Sequence, residues 1–362
     1  MDKNVEEFIA RKDERKNSAN AKLKLLVYGV KDNPEIFEKY QSLFKEEHYA
    51  YDNGNWEVDK NRLTPSEVLL PGGIVSKLHI RPDSPLTLVL ENDKLYIKNE
   101  KEYLSEFTFI PRPNFWDYKT SKGTPTKKLA QLYGLNCMNI NIFSGCEFHN
   151  VGLPCKFCSV KNAVRRDDPV EIIKSPDELA EVCEFATKYD DYNYIIITGG
   201  SHLNTDEEFD KHMEVIKAVK DKLKWNGKIK GNVAMMPPKT ISKLKELYDI
   251  GVENPSFNME VWPKSNFEKI CPGKEKYVGF DNVVESLLYL RDIYGDGKVW
   301  CNFVAGLVPL EDMKAGFKFM AEHGIVPGAN IYHAEVGSVI GKRLGRIDEE
   351  YILELSYLKR VA

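Results

Sequence analysis

From residue 136 onward the chain alternates short β-branched runs with longer amphipathic segments, and that rhythm restricts its fold more than any other feature. Candidate strands are Met138–Ser144, Tyr194–Thr198, Lys230–Met235, Pro255–Trp262, Val299–Gly306 and Ala329–His333. Between them apolar residues recur at helical spacing: Leu179, Val182, Cys183 and Ala186, then Phe209, Met213, Ile216 and Leu223. Ile241, Leu244, Leu247 and Tyr248 form a third stripe, and Val284, Leu287, Leu288 and Leu290 a fourth. Ser175-Pro176-Asp177-Glu178 reads as a capping box with proline at the first helical position. Six strand–helix units in series imply parallel strands, because each crossover helix returns the chain to the same end of the sheet. The expected class is α/β, either a doubly wound sheet or a barrel-like sheet of about six strands. Both place active-site groups at the C-terminal ends of the strands.

The first 130 residues read differently. Pro71-Gly72-Gly73, Pro82-Asp83 and Pro111-Arg112-Pro113 punctuate short strands. Leu86–Leu90, then Asn92-Asp93, then Leu95–Ile97 is a hairpin signal. The first 24 residues are dense in charge, with Val5, Phe8 and Ile9 as one small apolar edge, and read as a solvated or mobile end. The expected division is an α+β region over 1–130, bounded near the polar Thr120–Lys128 stretch, a barrel over 131–345 and a C-terminal helix over 346–362.

Fifty-one basic and 55 acidic residues leave a net charge of −4, so no global basic field attracts nucleic acid. No apolar run approaches the roughly 18 residues needed to span a bilayer, and the N-terminus lacks a secretory signal. A cytoplasmic protein is expected. Seven cysteines are too few and too uneven for a disulfide framework.

Three of the seven are Cys146, Cys155 and Cys158. Cys155 and Cys158 have the spacing that lets two thiolates of one loop bind one metal centre. Cys146 adds a third from just past the first strand of the series. Gly145, Gly152 and Pro154 suit the loop to wrapping around something bulky. Such thiolate-rich loops select iron–sulfur clusters or zinc. A four-iron cluster held by three thiolates keeps one iron without a protein ligand. A structural zinc site would instead complete its set with His149, although no second ligand hairpin accompanies it.

The residues resemble the radical S-adenosylmethionine (radical SAM) superfamily, whose usual signature is Cys-x3-Cys-x2-Cys with an aromatic before the third cysteine. Phe157 supplies that aromatic. Eight residues, not three, separate the first two cysteines, as longer first loops do in some branches. Ile197-Thr198-Gly199-Gly200-Ser201 resembles the family's glycine-pair motif at the second strand, with Ser201 in place of the usual acid. Asn258 and Glu260 resemble its fourth-strand polar pair, and Asn302 its fifth-strand contact beside adenine. The resemblance implies a partial (βα)6 TIM-like barrel with an N-terminal α+β extension. It also implies a 4Fe-4S cluster on Cys146, Cys155 and Cys158, and S-adenosylmethionine held by Phe157, Gly199, Gly200, Ser201, Asn258, Glu260 and Asn302. The implied reaction is reductive cleavage to a 5′-deoxyadenosyl radical that takes hydrogen from an unactivated carbon.

Cys271, in the loop after the fourth strand, is the candidate catalytic hydrogen-atom donor or substrate contact; Cys183 reads as core. Lys274 and Lys276 read as solvating lysines, and His202, His212 and His323 as surface or capping residues. His333 and Glu335 share a face at the end of the last strand. Phe115-Trp116-Asp117-Tyr118 reads as a packing plug. The expected partners are a small-molecule substrate and a one-electron donor such as flavodoxin or ferredoxin. Modification of RNA or protein, and a zinc-stabilised binding protein, stand as alternatives.

Overall fold

The computed structural model describes residues 3–44, 64–160, 173–190, 192–225, 228–333, 338–341 and 347–361. The charged N-terminus, expected as a mobile end, is instead two packed helices, α1 (Lys3–Ala10) and α2 (Arg15–Tyr28). Val5 and Phe8, one turn apart, are buried against Leu69 and Ile110. Ala21 and Leu25 do the same one helix later, against Val68, Leu70 and Phe107. The charges therefore decorate the outer face, while two narrow apolar edges hold the helices down. Arg11 joins the pair to the sheet by bonding Glu14 at 2.6 Å and Glu106 at 3.0 Å. Helix α3 (Pro34–Tyr40) starts where the Asn33 side chain accepts from the Ile36 amide, 3.1 Å.

Beneath these helices lie β1 (Glu67–Leu70), β2 (Ile74–Lys77), β3 (Leu86–Glu91), β4 (Lys94–Asn99) and β5 (Glu102–Phe109), antiparallel in the order β2-β1-β5-β4-β3. The predicted hairpin is present. Asn92 and Asp93 both adopt positive φ, 50° and 60°, the geometry a two-residue turn requires to match strand twist.

The second sheet contains β6 (Ala130–Tyr133), β7 (Cys137–Asn141), β8 (Tyr194–Thr198), β9 (Ile229–Met235), β10 (Val252–Phe257), β11 (Trp300–Ala305) and β12 (Val326–Ile331). They run in sequence order across the sheet. β6 pairs antiparallel with β7, and the other six strands are parallel. This is the expected α/β partial barrel with an extra antiparallel edge. The main crossovers carry α5 (Pro176–Tyr189), α6 (Thr205–Leu223), α7 (Lys245–Ile250) and, further along, short α8 (Lys264–Ile270) and α9 (Pro272–Tyr277) leading into α10 (Phe280–Tyr294). Helix α11 (Leu310–Glu322) precedes β12, and α12 (Glu349–Val361) follows it. The predicted stripes face the core: Leu179, Cys183, Phe209, Ile216, Leu244, Leu247, Leu287 and Leu290 are all fully buried. Tyr248, by contrast, lies on the outer side and is half exposed.

Three local expectations fail for identifiable reasons. The capping box does not close: Ser175 accepts from Lys122 at 2.9 Å and Glu178 from the Thr120 hydroxyl at 2.8 Å. Both side chains anchor the segment before β6 to α5. The fourth strand starts and stops earlier than expected. After Phe257 it yields to a turned segment in which Glu260 adopts φ +68° while still bridging β11, its amide donating to Asn302 O at 3.0 Å. The last strand starts at Val326, three residues early, and stops at Ile331. Of the expected packing plug, Phe115 and Trp116 are buried, while Asp117 and Tyr118 are exposed. Among the described residues no helix is long and apolar enough to cross a membrane.

Candidate active site

The cysteine loop is tied to the ends of β7 and β8 by a ladder of backbone bonds. The Ile142 amide donates to Thr198 O, and the Gly200 amide to Phe143 O, each at 2.8 Å; the Glu147 amide donates to Ser201 O at 2.9 Å. The close approach requires glycine. A Cβ on Gly200 would stand 1.5 Å from Gly145 O and 3.2 Å from Cys146 Cα. Gly199 is less crowded, 3.2 Å from the Phe143 nitrogen. The glycine pair of the second strand thus lies directly against the residue before the first cysteine.

Cys146 precedes a single helical turn, α4 (Glu147–Asn150). The amides of Ser201 and Phe148 hydrogen-bond its sulfur. Gly152, at φ +74°, reverses the chain toward Cys155. The Cys158 amide donates to Cys155 O at 3.0 Å, and the Lys156 amide to Ile270 O at 2.9 Å. The second half of the loop therefore docks on the junction of α8 and α9. Cys271 sits at that junction, wholly buried, with its thiol against Cys155. Phe157 is partly buried against the barrel core.

The thiols differ in charge preference. Burial pushes Cys146 and Cys158 upward, since a thiolate loses its solvation there. Cys155 is pulled down by the hydrogen bond from Cys271, helped by the Lys274 ammonium. Cys271 itself is pushed well up by burial and by that partner. Among the described residues, no three His, Cys, Asp or Glu side chains converge as a site for one metal ion. The three cysteines nevertheless act on one another electrostatically, Cys155 on both Cys146 and Cys158. Three thiols in one loop are the donor type that iron–sulfur clusters and zinc both take.

Beside the second half of the loop, polar side chains gather around β10 and β11. Asn302 donates to Asn258 Oδ1 at 3.2 Å, and Ser256 to the same oxygen at 3.2 Å. Lys274 donates to Glu260 Oε1 at 2.5 Å and to Asn258 O at 3.3 Å. Its side chain is 9% exposed and that of Glu260 12%. Lys274, read from sequence as solvated, is a buried ammonium whose pKa is raised because Glu260, Cys155 and Cys271 outweigh the desolvation of its charge. Lys276 stays on the helix surface side, its ammonium over the Tyr277 ring.

Three further buried groups lie nearby, one overlooked from sequence and two expected at the surface. Glu208 is 1% exposed, its carboxylate accepting from the His202 amide at 2.9 Å and the Met236 amide at 3.0 Å. Burial raises its pKa to about 7. His202 and His212 are buried as well, not surface residues; His202 packs on Phe143, ring centroids 4.5 Å apart. A signal for Glu208 and His212 was present, because both fall on the stripe occupied by Phe209, Met213 and Ile216. His333 is placed at the end of β12, while Glu335 lies outside the described residues.

No family model matches the chain. A sequence match of 23% identity over 237 residues joins it to the bacteriochlorophyllide c C-7(1)-hydroxylase of Chlorobaculum limnaeum, covering 61% of this chain and 58% of that protein. Among solved structures, methylornithine synthase is similar over 68% of this chain and 71% of its own, at 15% identity and a TM-score of 0.48. A radical SAM methyltransferase from Sphaerobacter thermophilus is similar over 77% and 75%, at 12% identity and a TM-score of 0.45.

Proposed function

We infer that this chain, which carries the radical SAM fold plan and its three-cysteine loop, works as a radical SAM enzyme on a small-molecule substrate. The observation that supports this most is the seating of Cys146, Cys155 and Cys158 at the C-terminal end of the first parallel strand. There the glycine pair of the next strand abuts the loop, and the Ser201 amide reaches the Cys146 sulfur. Cys146, Cys155 and Cys158 would hold a 4Fe-4S cluster. With S-adenosylmethionine bound beside it, such a cluster would supply one-electron reduction of the sulfonium, the radical-generating chemistry of the family.

The chain's own residues bind, orient and exclude. Asn258 and Asn302, linked to each other, offer amide groups to a ribose or base edge, and Gly199, Gly200, Ser201 and Phe157 line the same end of the barrel. Lys274 gives a fixed positive charge for the carboxylate of the methionine moiety, and Glu260 holds that ammonium in place. Cys271 stands at the cluster side of the barrel, where its thiol supports Cys155; a hydrogen-atom donor role requires substrate to reach it there. The buried apolar residues of the barrel strands would help to exclude water from the site. A one-electron donor such as flavodoxin or ferredoxin would supply the reducing equivalent. Residues 131–345 would carry the chemistry and 1–130 the substrate choice, with α12 packed against α11. The curated relative's name, a hydroxylase acting at one defined carbon, agrees with chemistry that starts at an unactivated C–H.

The test is anaerobic: reconstitute with iron and sulfide, reduce, add S-adenosylmethionine and quantify 5′-deoxyadenosine. Product from the wild type and none from the Cys146/Cys155/Cys158 triple alanine variant is expected. Equal signals from both, or zinc retention without iron–sulfur absorbance, would sink the reading.

A further inference from the structure

The inner face of the parallel sheet is not filled with the branched apolar residues that pack a closed barrel. Helices α5 and α6 cover the other face, where Met138, Ile140, Ile195, Ile197 and Val233 join the core. Side chains alternate between the two faces along a strand, so the residues between these point inward. In register across five adjacent strands, β6 to β10, one level reads Gln131, Asn139, Ile196, Asn232 and Asn254. All but Ile196 are carboxamides. The next level toward the strand ends continues with Asn141, Thr198, Ala234 and Ser256.

Asn141 and Thr198 end β7 and β8, the two strands to which the cysteine loop is tied. The two levels therefore lie inside the barrel beneath that loop. They are not packed shut. Asn141, Ile196, Thr198, Asn232 and Ala234 are half-buried although each sits on an interior strand, whereas their outward neighbours Ile195, Ile197 and Val233 are at most 2% exposed. The carboxamides are only partly used. Asn139 donates to Gln131 Oε1 at 3.0 Å, and Asn232 to Asn254 O at 3.0 Å. Asn139 is 4% exposed, and its Oδ1 has no hydrogen-bond partner among the described residues. A carboxamide oxygen buried in that way calls for a partner. Neither level holds a charged side chain; the buried ion pair of Lys274 and Glu260 belongs to the segments after β10.

Carboxamides offer donors and acceptors together and carry no charge. They match hydroxyl, carbonyl or amide groups. A carboxylate, phosphate or ammonium would shed its water there without meeting an opposite charge. We propose that this inner face binds an uncharged, hydrogen-bonding part of the substrate and selects against a charged one. Only the word substrate rests on the radical SAM reading; recognition of uncharged polar groups stands apart from it.

The full chain, isotope-labelled in its asparagine and glutamine residues, is titrated with glucose and gluconate, and separately with nicotinamide and nicotinate. Each pair is an uncharged molecule and its carboxylate counterpart. The side-chain amide resonances of Asn139 and Asn232 are followed by NMR. A saturable shift of both with at least one uncharged probe is expected, at an affinity about tenfold or more above that of its carboxylate. Asn139→Leu and Asn232→Leu should each weaken binding about fivefold, the size of a lost neutral hydrogen bond. Either variant carries the comparison if the other fails to fold. No saturable shift with either uncharged probe, carboxylates bound as tightly, or unchanged affinity in both variants overturns the proposal. Preference for an uncharged probe in a wild type that forms no 5′-deoxyadenosine would keep this site and sink the radical reading. 5′-Deoxyadenosine formation without that preference would do the reverse.

Discussion

Replacing Gly200 by alanine tests the junction on which the candidate site depends. The added Cβ would lie 1.5 Å from Gly145 O, 2.6 Å from Gly145 C and 3.2 Å from Cys146 Cα. All three neighbours are backbone, so no side-chain rotation relieves the overlap; the end of β8 and the cysteine loop must part. Overpacking of this kind costs about 1–3 kcal/mol. Parting also threatens the Gly200 amide bond to Phe143 O and the Glu147 amide bond to Ser201 O, each worth about 1 kcal/mol. A total of about 2–5 kcal/mol is expected, or a fall in Tm of roughly 3–7 °C for a protein of 362 residues. Gly199→Ala is the internal control, because its Cβ would meet the Phe143 nitrogen at 3.2 Å and need only a small adjustment. Urea denaturation and thermal unfolding of both variants measure the difference. Equal stability of the two variants would refute the close-contact reasoning.

Two other perturbations address groups buried around the site. Lys274→Met leaves Glu260 as an unpaired buried carboxylate and should destabilise by about 3–5 kcal/mol, with Lys274→Met/Glu260→Gln recovering most of the loss in urea unfolding; no recovery in the double variant would contradict the ion pair at 2.5 Å. Burial raises the Glu208 pKa to about 7, so between the unfolded value and about 7 the native state holds a proton that the unfolded chain has released. Its contribution is fully present below the unfolded value and is lost as pH rises through about 7, by about 3 kcal/mol at most. Glu208→Gln should flatten that part of the stability profile, and an unchanged slope would rule out Glu208 as its source.

The parallel sheet was legible because its strands are short β-branched runs such as Ile195-Ile196-Ile197, separated by clear helical stripes. The cysteine loop was legible because ligand spacing is local. Lys274 was not, since it lies between Gly273 and Glu275 in a charged stretch. Only the turned backbone at Glu260 brings a carboxylate to it. Glu208 was hidden in the acidic start of α6, where its partners are amides of two other segments. The helices of the N-terminus were missed because two apolar residues per edge suffice once a sheet lies underneath. The His79–His333 stack joins residues from opposite ends of the sequence, and only tertiary structure pairs them. The capping box failed for the same reason, as Thr120 and Lys122 outcompeted the local backbone.

The central claim is that Cys146, Cys155 and Cys158 hold a cluster with one iron left open. The most direct measurement is EPR of the reconstituted, reduced protein before and after S-adenosylmethionine is added, with iron and sulfide determined on the same sample. The account predicts about four irons per chain and a reduced-cluster signal that changes on addition of S-adenosylmethionine. A cluster signal that S-adenosylmethionine leaves unchanged, or a cluster retained by the triple alanine variant, would contradict it.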